Sequence, residues 1–430
     1  MGTTKKIPWR KLRTIYVSDS PITHSKTVNS EPFLRARMPE LDSIRGIAVL
    51  LVLFYHGFGF AYGLSGLRGI GRLFVAATLG GWVGVNLFFV LSGFLITGIL
   101  LDTKARADYY KRFYFRRALR ILPLYYAVLC LLVVLTRAGL INRHVSWAFL
   151  GLSSIYMANV TELFGIPMQY GVLWSLGVEE HFYLFWPIAV RLLSRRGIAI
   201  AGTIICIMCT SLRSLSYVLG GQAGAGYTWL VADGLAMGAV LASLIRGPLG
   251  TCAGIRNVMW AAFASSVFLF AVGTPFGILS ARHFLGMALR PIAINLFFVG
   301  IISMALRLGT CPWKTILNLA PLRFVGDISY CVYLIHMLVF ELVDHVLARL
   351  NPSLPPGREH IAVMALRFFA AASFTIGLAA LSRRYFENPF LRLKARFDNG
   401  VDVSTSRSSK LIGQTPSPAE DLQTALEIAR

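Results

Sequence analysis

The chain has 430 residues, of which 56% are apolar and 14% are charged, and its mean hydropathy is +0.63. A soluble domain of this size cannot bury so large an apolar fraction, so the composition predicts a membrane protein. The formal net charge is +22, but the positive residues lie in the first 38 positions and in short patches between apolar runs. This distribution argues against nucleic-acid binding and is typical of the loops of membrane proteins.

The sequence divides into three parts. Residues 1–38 are polar and basic and predict a loosely ordered cytoplasmic arm, whereas residues 393–430 predict a disordered cytoplasmic tail. No signal peptide opens the sequence, so we expect membrane insertion to begin with an internal span. The central part, 39–392, is the predicted transmembrane domain. Its one CxxC, Cys206 to Cys209, lies within a span and has no second pair at metal spacing, so no metal site is expected.

Ten apolar segments follow one another in the central part. A hydrocarbon core of about 30 Å needs roughly 20 helical residues, and most of the segments have this length. They run near 44–62, 80–101, 118–137, 173–194, 198–218, 228–246, 255–273, 291–308, 322–347 and 361–382. The loops on the side of the N-terminus carry the excess of Lys and Arg, which favours an even number of spans with both termini in the cytoplasm. The sequence thus predicts an all-α, polytopic transmembrane helical bundle, with a short re-entrant or interfacial helix at 147–158.

A histidine and a pair of glutamates lie deep within two predicted spans. His56 follows Arg45 by eleven residues. This separation is about 16 Å along a helix and places the imidazole near the bilayer midplane. Glu180 precedes Arg191 by eleven residues in an oppositely directed span, so it reaches a similar depth, and Glu179 lies on the next face of the helix. Because charge inside a membrane is costly, such residues are functional candidates.

Two further spans carry ionisable residues at comparable depth. Asp233 lies thirteen residues before Arg246, and His336 lies thirteen residues after Arg323. The polar chamber that we expect comprises His56, Glu179, Glu180, Asp233, Ser329, Tyr330 and His336. A neutral histidine near a carboxylate can take a proton from a hydroxyl, so the chamber suits proton transfer. The alternative is that these side chains bond to one another and fix the packing of the helices.

A basic cluster precedes the third span. Arg112, Arg116 and Arg120 follow one another at spacings of four, so they share one face of a helix, and Arg117 lies on the adjacent face. Guanidinium groups bind phosphate in a bidentate way, so the cluster could bind a phosphorylated ligand, although lipid headgroups would explain it as well. Similarly, the small residues Gly81, Gly84, Ser92 and Gly93 permit either close helix packing or the approach of an extended ligand.

Seven segments together resemble the acyltransferase 3 family of integral membrane acyltransferases. In chain order they are PELDSIRGIAVLLVLFYH, GVNLFFVLSGFLIT, FRRALRILPLYY, LWSLGVEEHFYLFWP, ADGLAMGAVLA, ISYCVYLIH and YFENP. Arg45 and His56 match the family's pattern of an arginine, ten residues and a histidine. The resemblance extends from about Pro39 to Pro389. The sequence departs from the family's pattern at two positions. It has His181 where the family often has Gln, and Val231, two residues before Asp233, where the family often has Arg.

The resemblance implies an activity and a set of site residues. The expected donor is acyl-CoA, with acetyl as the common acyl group, and no permanently bound cofactor is expected. The expected acceptor is a carbohydrate or glycolipid, such as lipopolysaccharide, exopolysaccharide, peptidoglycan or lipo-oligosaccharide, and the expected location is a bacterial inner membrane. The catalytic candidates are His56, Glu180, Glu179 and Arg45, and the residues expected to bind CoA are Arg116, Arg117 and Arg120.

The resulting hypothesis is a membrane O-acyltransferase. In it, His56 acts as a general base or as an acyl carrier, and Glu180, or alternatively Glu179, orients the imidazole. Arg45 could hold part of CoA or stabilise an oxyanion. The alternative hypothesis is a proton-coupled transporter, because a proton relay would use the same buried His, Glu and Asp side chains.

Overall fold

The computed structural model describes residues 38–61, 63–64, 67–220, 226–307, 313–350 and 361–393. Residues 1–37 of the predicted arm and residues 394–430 of the predicted tail lie outside this part. Every regular element in the described part is helical, and no strand occurs there, which confirms the all-α prediction.

The helices are as follows in chain order. They are α1 Pro39–Phe54, α2 Gly69–Leu79, α3 Val83–Asp102, α4 Tyr109–Arg137, α5 Trp147–Ser154, α6 Leu173–Leu192, α7 Arg195–Val218, α8 Thr228–Val231, α9 Asp233–Ile245, α10 Cys252–Gly273, α11 Phe284–Ala288, α12 Arg290–Leu306, α13 Trp313–Leu317, α14 Ala320–Asp327, α15 Ser329–Leu350 and α16 Ile361–Leu381. A π-helical turn, Tyr55–Phe60, continues α1, and a second one, Ser382–Glu387, continues α16.

Seven helical stretches are long and apolar enough to cross a membrane by length and composition. They are Pro39–Phe60, Gly69–Asp102, Tyr109–Arg137, Arg195–Val218, Cys252–Phe276, Ser329–Leu350 and Ile361–Leu393. Large apolar side chains such as Ile200, Ile204 and Ile207 are exposed along α7, as expected where a helix faces lipid. The described part is therefore that of an integral membrane protein.

The other predicted spans are also helical, but their helices are short, interrupted or not among these seven stretches. Helices α9 and α12 are apolar but shorter, and α6, which carries the two glutamates, is not among the seven. The predicted spans 228–246 and 322–347 were each expected to be one helix, and this is wrong, because the helix is interrupted at Ala232 and at Ile328. The predicted short helix at 147–158 is present as α5, whose eight residues are too few to cross a bilayer.

Glycines bring the central helices into backbone contact. A β-carbon on Gly93 of α3 would clash with the carbonyl oxygen of Leu235 in α9, and one on Gly84 would clash with that of Ala48 in α1. Gly81 meets α1 in the same way. The three glycines therefore serve close helix packing, which was one of the two alternatives drawn from the sequence. Ser92, which lies between Gly84 and Gly93 in α3, donates a hydrogen bond to Glu179.

Candidate functional site

His56 lies in the π-helical turn that follows α1, and its ring meets that of His336 from α15. The Nδ1 atom of His56 is 3.2 Å from the Nε2 atom of His336 and 3.1 Å from the carbonyl oxygen of Val52. The Nδ1 atom of His336 lies 2.7 Å from the carbonyl oxygen of Tyr333. His336 is fully buried. The rings are thus linked in a chain that begins at a backbone carbonyl.

These partners assign the protons of both rings. A carbonyl oxygen only accepts hydrogen bonds, so Nδ1 of His336 carries a proton and, in the neutral ring, Nε2 is an acceptor. Nδ1 of His56 faces this acceptor and the oxygen of Val52, so it also carries a proton. The lone pair of neutral His56 is therefore on Nε2, the nitrogen that is available to a substrate.

The cavity that contains His56, here called the histidine cavity, is rich in aromatic and polar side chains. Those that the argument uses are Tyr55, His56, Trp82, Asn86, Trp174, Arg213, Asp233 and Arg290. Aromatic faces combined with a few polar groups are typical of sites for small organic ligands.

Asp233 lines the histidine cavity as half of a buried ion pair. Its Oδ2 atom is 2.8 Å from Nη2 of Arg213 in α7, and both side chains are almost wholly buried. Arg213 also donates hydrogen bonds to the carbonyl oxygens of Leu230 and Ala288. The interruption before α9 leaves the carbonyl of Leu230 available for this bond. Val231, two residues before Asp233, cannot supply a positive charge to the aspartate. Arg213 supplies the guanidinium next to Asp233 instead.

A second cavity, here called the arginine cavity, contains most of the other predicted site residues. It is lined by Arg45, Ser92, Arg117, Arg120, Ser175, Glu179, Glu180, Tyr183, Ser329, Tyr330 and Tyr333, together with apolar side chains. The arginines of α1 and α4 therefore face the glutamates of α6, as attraction between opposite charges in a low-dielectric interior favours.

The two glutamates occupy different environments in the arginine cavity. Glu179 accepts hydrogen bonds from Ser92 at 3.1 Å and from the Tyr183 hydroxyl at 2.9 Å. Glu180 lines the same cavity. The guanidinium carbon of Arg117 is 3.9 Å from the centre of the Tyr183 ring. Glu179 is thus fixed by neighbouring side chains, which leaves Glu180 as the carboxylate better able to meet a ligand.

A groove leads from the arginine cavity along α4. Arg112 and Arg116 line it together with Arg117 and Arg120, which also line the cavity. At its edge, a hydrogen bond from Arg106 lowers the pKa of the Asp108 carboxyl, which therefore stays ionised 3.7 Å from Arg112. The four predicted arginines of α4 are thus brought together, and they form one continuous basic surface.

The predicted single chamber is divided in two, which corrects the sequence interpretation. Tyr333 separates the cavities together with Val85 and Phe89, and all three side chains line both. The Tyr333 hydroxyl is 2.5 Å from Oγ of Ser175, which holds the ring across the gap. The expected contact of His56 with Glu180 is not formed in this structure, in which the ring of His56 meets His336 instead. The number of residues from the start of a span gives the depth of a side chain in the membrane. It does not show whether other side chains lie between two residues at the same depth.

Several residues of the site were missed at the sequence level. Arg213 lies within the predicted span 198–218, so its charge was a usable signal of a functional or buried position. Outside the linings of both cavities, the ion pairs of Arg143 with Glu341 and of Arg367 with Asp344 join distant parts of the chain, and their partners could not be read from spacing. Among the described residues, no group of three or more His, Cys, Asp or Glu side chains is arranged to hold a metal.

Comparison with known proteins finds an acyltransferase family model and several similar O-acetyltransferases. A family model for an acyltransferase domain matches residues 38–384. The peptidoglycan O-acetyltransferase OatA of Listeria monocytogenes is 28% identical over 391 residues, which cover 83% of this chain and 56% of that protein. A putative O-acetyltransferase of Staphylococcus aureus is 29% identical over 404 residues, 86% of this chain and 59% of that protein.

A third relative matches a shorter part. The putative peptidoglycan O-acetyltransferase YrhL of Bacillus subtilis is 32% identical over 206 residues, 43% of this chain and 29% of that protein. The chain thus matches at most 59% of the length of these curated relatives. No solved structure matches it.

Proposed function

The chain belongs to the acyltransferase 3 family, and we propose that it transfers an acyl group from cytoplasmic acyl-CoA to a carbohydrate hydroxyl on the far side of the membrane. The observation that carries this proposal is the pair of cavities that meet at Tyr333. One cavity is basic and continues into an arginine-lined groove, and the other contains a histidine with a free lone pair. A donor and an acceptor could thus approach one reaction centre from opposite sides.

The arginines suit the donor. CoA carries several phosphates, and guanidinium groups bind phosphate through bidentate, permanently charged contacts. In this proposal the phosphates bind Arg116, Arg117 and Arg120, and the pantetheine arm extends through the arginine cavity towards Tyr333. Arg45, on the wall of the same cavity, is then close to the thioester end and suits a developing negative charge.

His56 suits the proton transfer. In the direct route, its Nε2 takes the proton of the acceptor hydroxyl while the oxygen attacks the thioester carbonyl carbon. The carbon–sulfur bond then breaks, and the proton on Nε2 passes to the leaving CoA thiolate. In the alternative route, Nε2 attacks the thioester carbon, the carbon–sulfur bond breaks and CoA leaves as its thiolate. The acceptor hydroxyl then attacks the acyl carbon on Nε2, the bond from that carbon to Nε2 breaks, and the hydroxyl proton passes to the CoA thiolate. His336, whose Nε2 accepts a hydrogen bond from Nδ1–H of His56 in both routes, is proposed to keep the lone pair of His56 on Nε2.

Glu180 receives a new role in this proposal. Because it lines the arginine cavity and not the histidine cavity, it is proposed to balance the charges of Arg117 and Arg45 while the donor binds. Glu179, which Ser92 and Tyr183 hold, is proposed to position Tyr183 and, through it, the stacked Arg117. Ser329 and Tyr330 complete the wall beside the donor.

The proposed arrangement in the membrane follows the distribution of charge. We propose about ten spans with both termini in the cytoplasm, so that the groove beside α4 faces the cytoplasmic acyl-CoA pool. The inner membrane of a bacterium is the expected location. Because relatives are named as peptidoglycan O-acetyltransferases, an acetyl group and a cell-envelope carbohydrate are the first donor group and acceptor to test.

The transporter hypothesis remains the competing one. The linked rings of His56 and His336 and the buried pair of Arg213 with Asp233 are also groups through which protons could pass. The two hypotheses differ in chemistry, because a transporter would move an unmodified solute and would not consume CoA esters.

The deciding experiment uses acetyl-CoA labelled in its acetyl group. Inside-out membrane vesicles that contain the protein receive the label on their outer, cytoplasmic face, and the glycans inside are extracted and counted. The proposal predicts alkali-labile label in glycan, with one free CoA thiol released for each acetyl group transferred. Absence of label and of thiol release, in vesicles that do accumulate an unmodified saccharide, would favour the transporter.

A further inference from the structure

Two arginines line the histidine cavity, and in the described part of the chain only one of them, Arg213, has a carboxylate partner. Arg290, the first residue of α12, lines this cavity, and its guanidinium carbon is 5.0 Å from the centre of the Trp82 ring. Its Nη1 donates to the carbonyl oxygen of Leu279 at 3.2 Å, and its buried Nε has no hydrogen-bond partner. In the described part of the chain, no carboxylate forms an ion pair with Arg290.

The contrast with Arg213 shows why this is unusual. Arg213 lines the same cavity, but Asp233 neutralises it at 2.8 Å. A guanidinium whose donors are not all used by the protein can bind a carboxylate or a phosphate of a ligand. Arg290 is half-buried beside the Trp82 ring and retains donors after its bond to Leu279. It is therefore a candidate binding group for an anion in this cavity.

We propose that Arg290 binds a negatively charged group of the acceptor, a carboxylate or a phosphate on the sugar, while Trp82 and Trp174 contact the sugar ring. This inference rests on the proposed function and specifies its acceptor as an anionic carbohydrate. The geometry carries it because the cavity that contains Arg290 also contains His56, so one ligand can meet both. The hydroxyl to be acylated then points towards Nε2 of His56, while the charged group lies at Arg290.

A phospholipid headgroup offers the same phosphate chemistry as the acceptor. The phospholipid and the acceptor can be distinguished by their effects on the activity. A lipid at Arg290 makes the activity depend on the lipids of the membrane, whereas an anionic acceptor makes the apparent affinity depend on the charge of the sugar. The test therefore uses nanodiscs of zwitterionic phosphatidylcholine, with a second set that contains anionic phosphatidylglycerol.

The first step of the test identifies the charge of the natural product. Glycan labelled by the wild-type protein in native membranes is released and applied to an anion exchanger at neutral pH. The proposal predicts that labelled fragments are retained, and that they elute unretained once carboxylates are reduced with carbodiimide and borohydride or phosphates are removed with hydrofluoric acid. Labelled fragments that are neutral from the start would overturn this inference but leave the acyltransferase proposal intact, whereas no label at all would count against that proposal itself.

The second step tests Arg290 with the purified acceptor. We expect Arg290→Gln to raise the KM for the acceptor by about 10- to 100-fold, the loss typical of a charge-assisted hydrogen bond, with kcat changed by less than about threefold. Arg290→Lys should recover part of the affinity. Arg282→Gln, which changes an exposed arginine of the preceding turn, is the matched control and should behave as wild type. An unchanged KM for acetyl-CoA and an unchanged melting temperature would show that Arg290→Gln is folded.

The decisive measurement combines the Arg290→Gln substitution with an acceptor of reduced charge. If Arg290 binds the anion, reducing the charge of the acceptor should raise the KM of the wild type but not raise that of Arg290→Gln any further. Two independent losses that multiply would overturn the inference. A defect of Arg290→Gln that appears only in nanodiscs with phosphatidylglycerol would also overturn it, in favour of a lipid headgroup.

Discussion

The Nε2 atom of His336 lies 3.2 Å from the Nδ1 atom of His56, although the two residues are 280 positions apart in the chain. His56 lies in the π-helical turn Tyr55–Phe60, and His336 lies in α15. Short π-helical turns are frequent at functional sites. In this case the turn carries the histidine that the proposed mechanism requires.

His336 is expected to act by positioning His56. His336→Phe removes the acceptor for the Nδ1 proton of His56, so we expect kcat to fall by about 10- to 100-fold, less than the whole contribution of a general base. The KM for acetyl-CoA should change little. His336→Gln should recover much of the rate, because its amide oxygen can accept the same bond. Equal losses in Phe and Gln variants, with unchanged melting temperatures, would contradict this role.

The pair of Arg213 and Asp233 is expected to be structural as well as part of the cavity wall. Asp233→Asn leaves the buried guanidinium without a counter-charge, and breaking such a pair typically costs about 3–5 kcal/mol. The double variant Arg213→Met, Asp233→Leu should recover most of this loss. Thermal unfolding of the protein in detergent measures both. If the double variant is less stable than either single variant, the assigned pairing is wrong.

Close packing of α3 on α9 can be tested at Gly93. Gly93→Ala places a methyl group against the carbonyl oxygen of Leu235, and such overpacking typically costs about 1–3 kcal/mol. Gly377→Ala is the matched control, because it also lies in a helix but a β-carbon there would meet nothing within 4 Å. The control should be neutral or slightly stabilising, since Ala has the higher helix propensity. Equal melting temperatures for the two variants would rule out the packing role of Gly93.

The basic groove is expected to bind the donor. Arg117→Gln should raise the KM for acetyl-CoA by at least about 10-fold, because Arg117 lines both the groove and the arginine cavity and its charge-assisted bonds to phosphate would be lost. Arg256→Gln changes an exposed arginine on the side of the membrane that is predicted to be cytoplasmic, and it should have no effect. Steady-state kinetics with a fixed acceptor gives both values. A similar KM in both variants would place the donor elsewhere.

The sequence was sufficient for the helical class, the family and several of the ionisable cavity residues, among them His56, Glu179 and Glu180. Periodic apolar runs and in-span charges reveal a membrane bundle, and the order of seven motifs is specific. Sequence was insufficient for the grouping of those residues into two cavities. That grouping depends on Tyr333, which lines both cavities and whose hydroxyl meets Ser175 from another helix. This contact joins residues far apart in the chain, so it produces no periodic signal in the sequence.

The most direct test of the central claim is the transfer of labelled acetyl from acetyl-CoA into glycan by membranes that contain His56→Ala. His144→Ala, which changes an exposed histidine outside both cavities, is the control at equal expression. The mechanism predicts no transfer above background for His56→Ala and wild-type transfer for His144→Ala. Substantial transfer by correctly folded His56→Ala would contradict the role of His56 as base or acyl carrier.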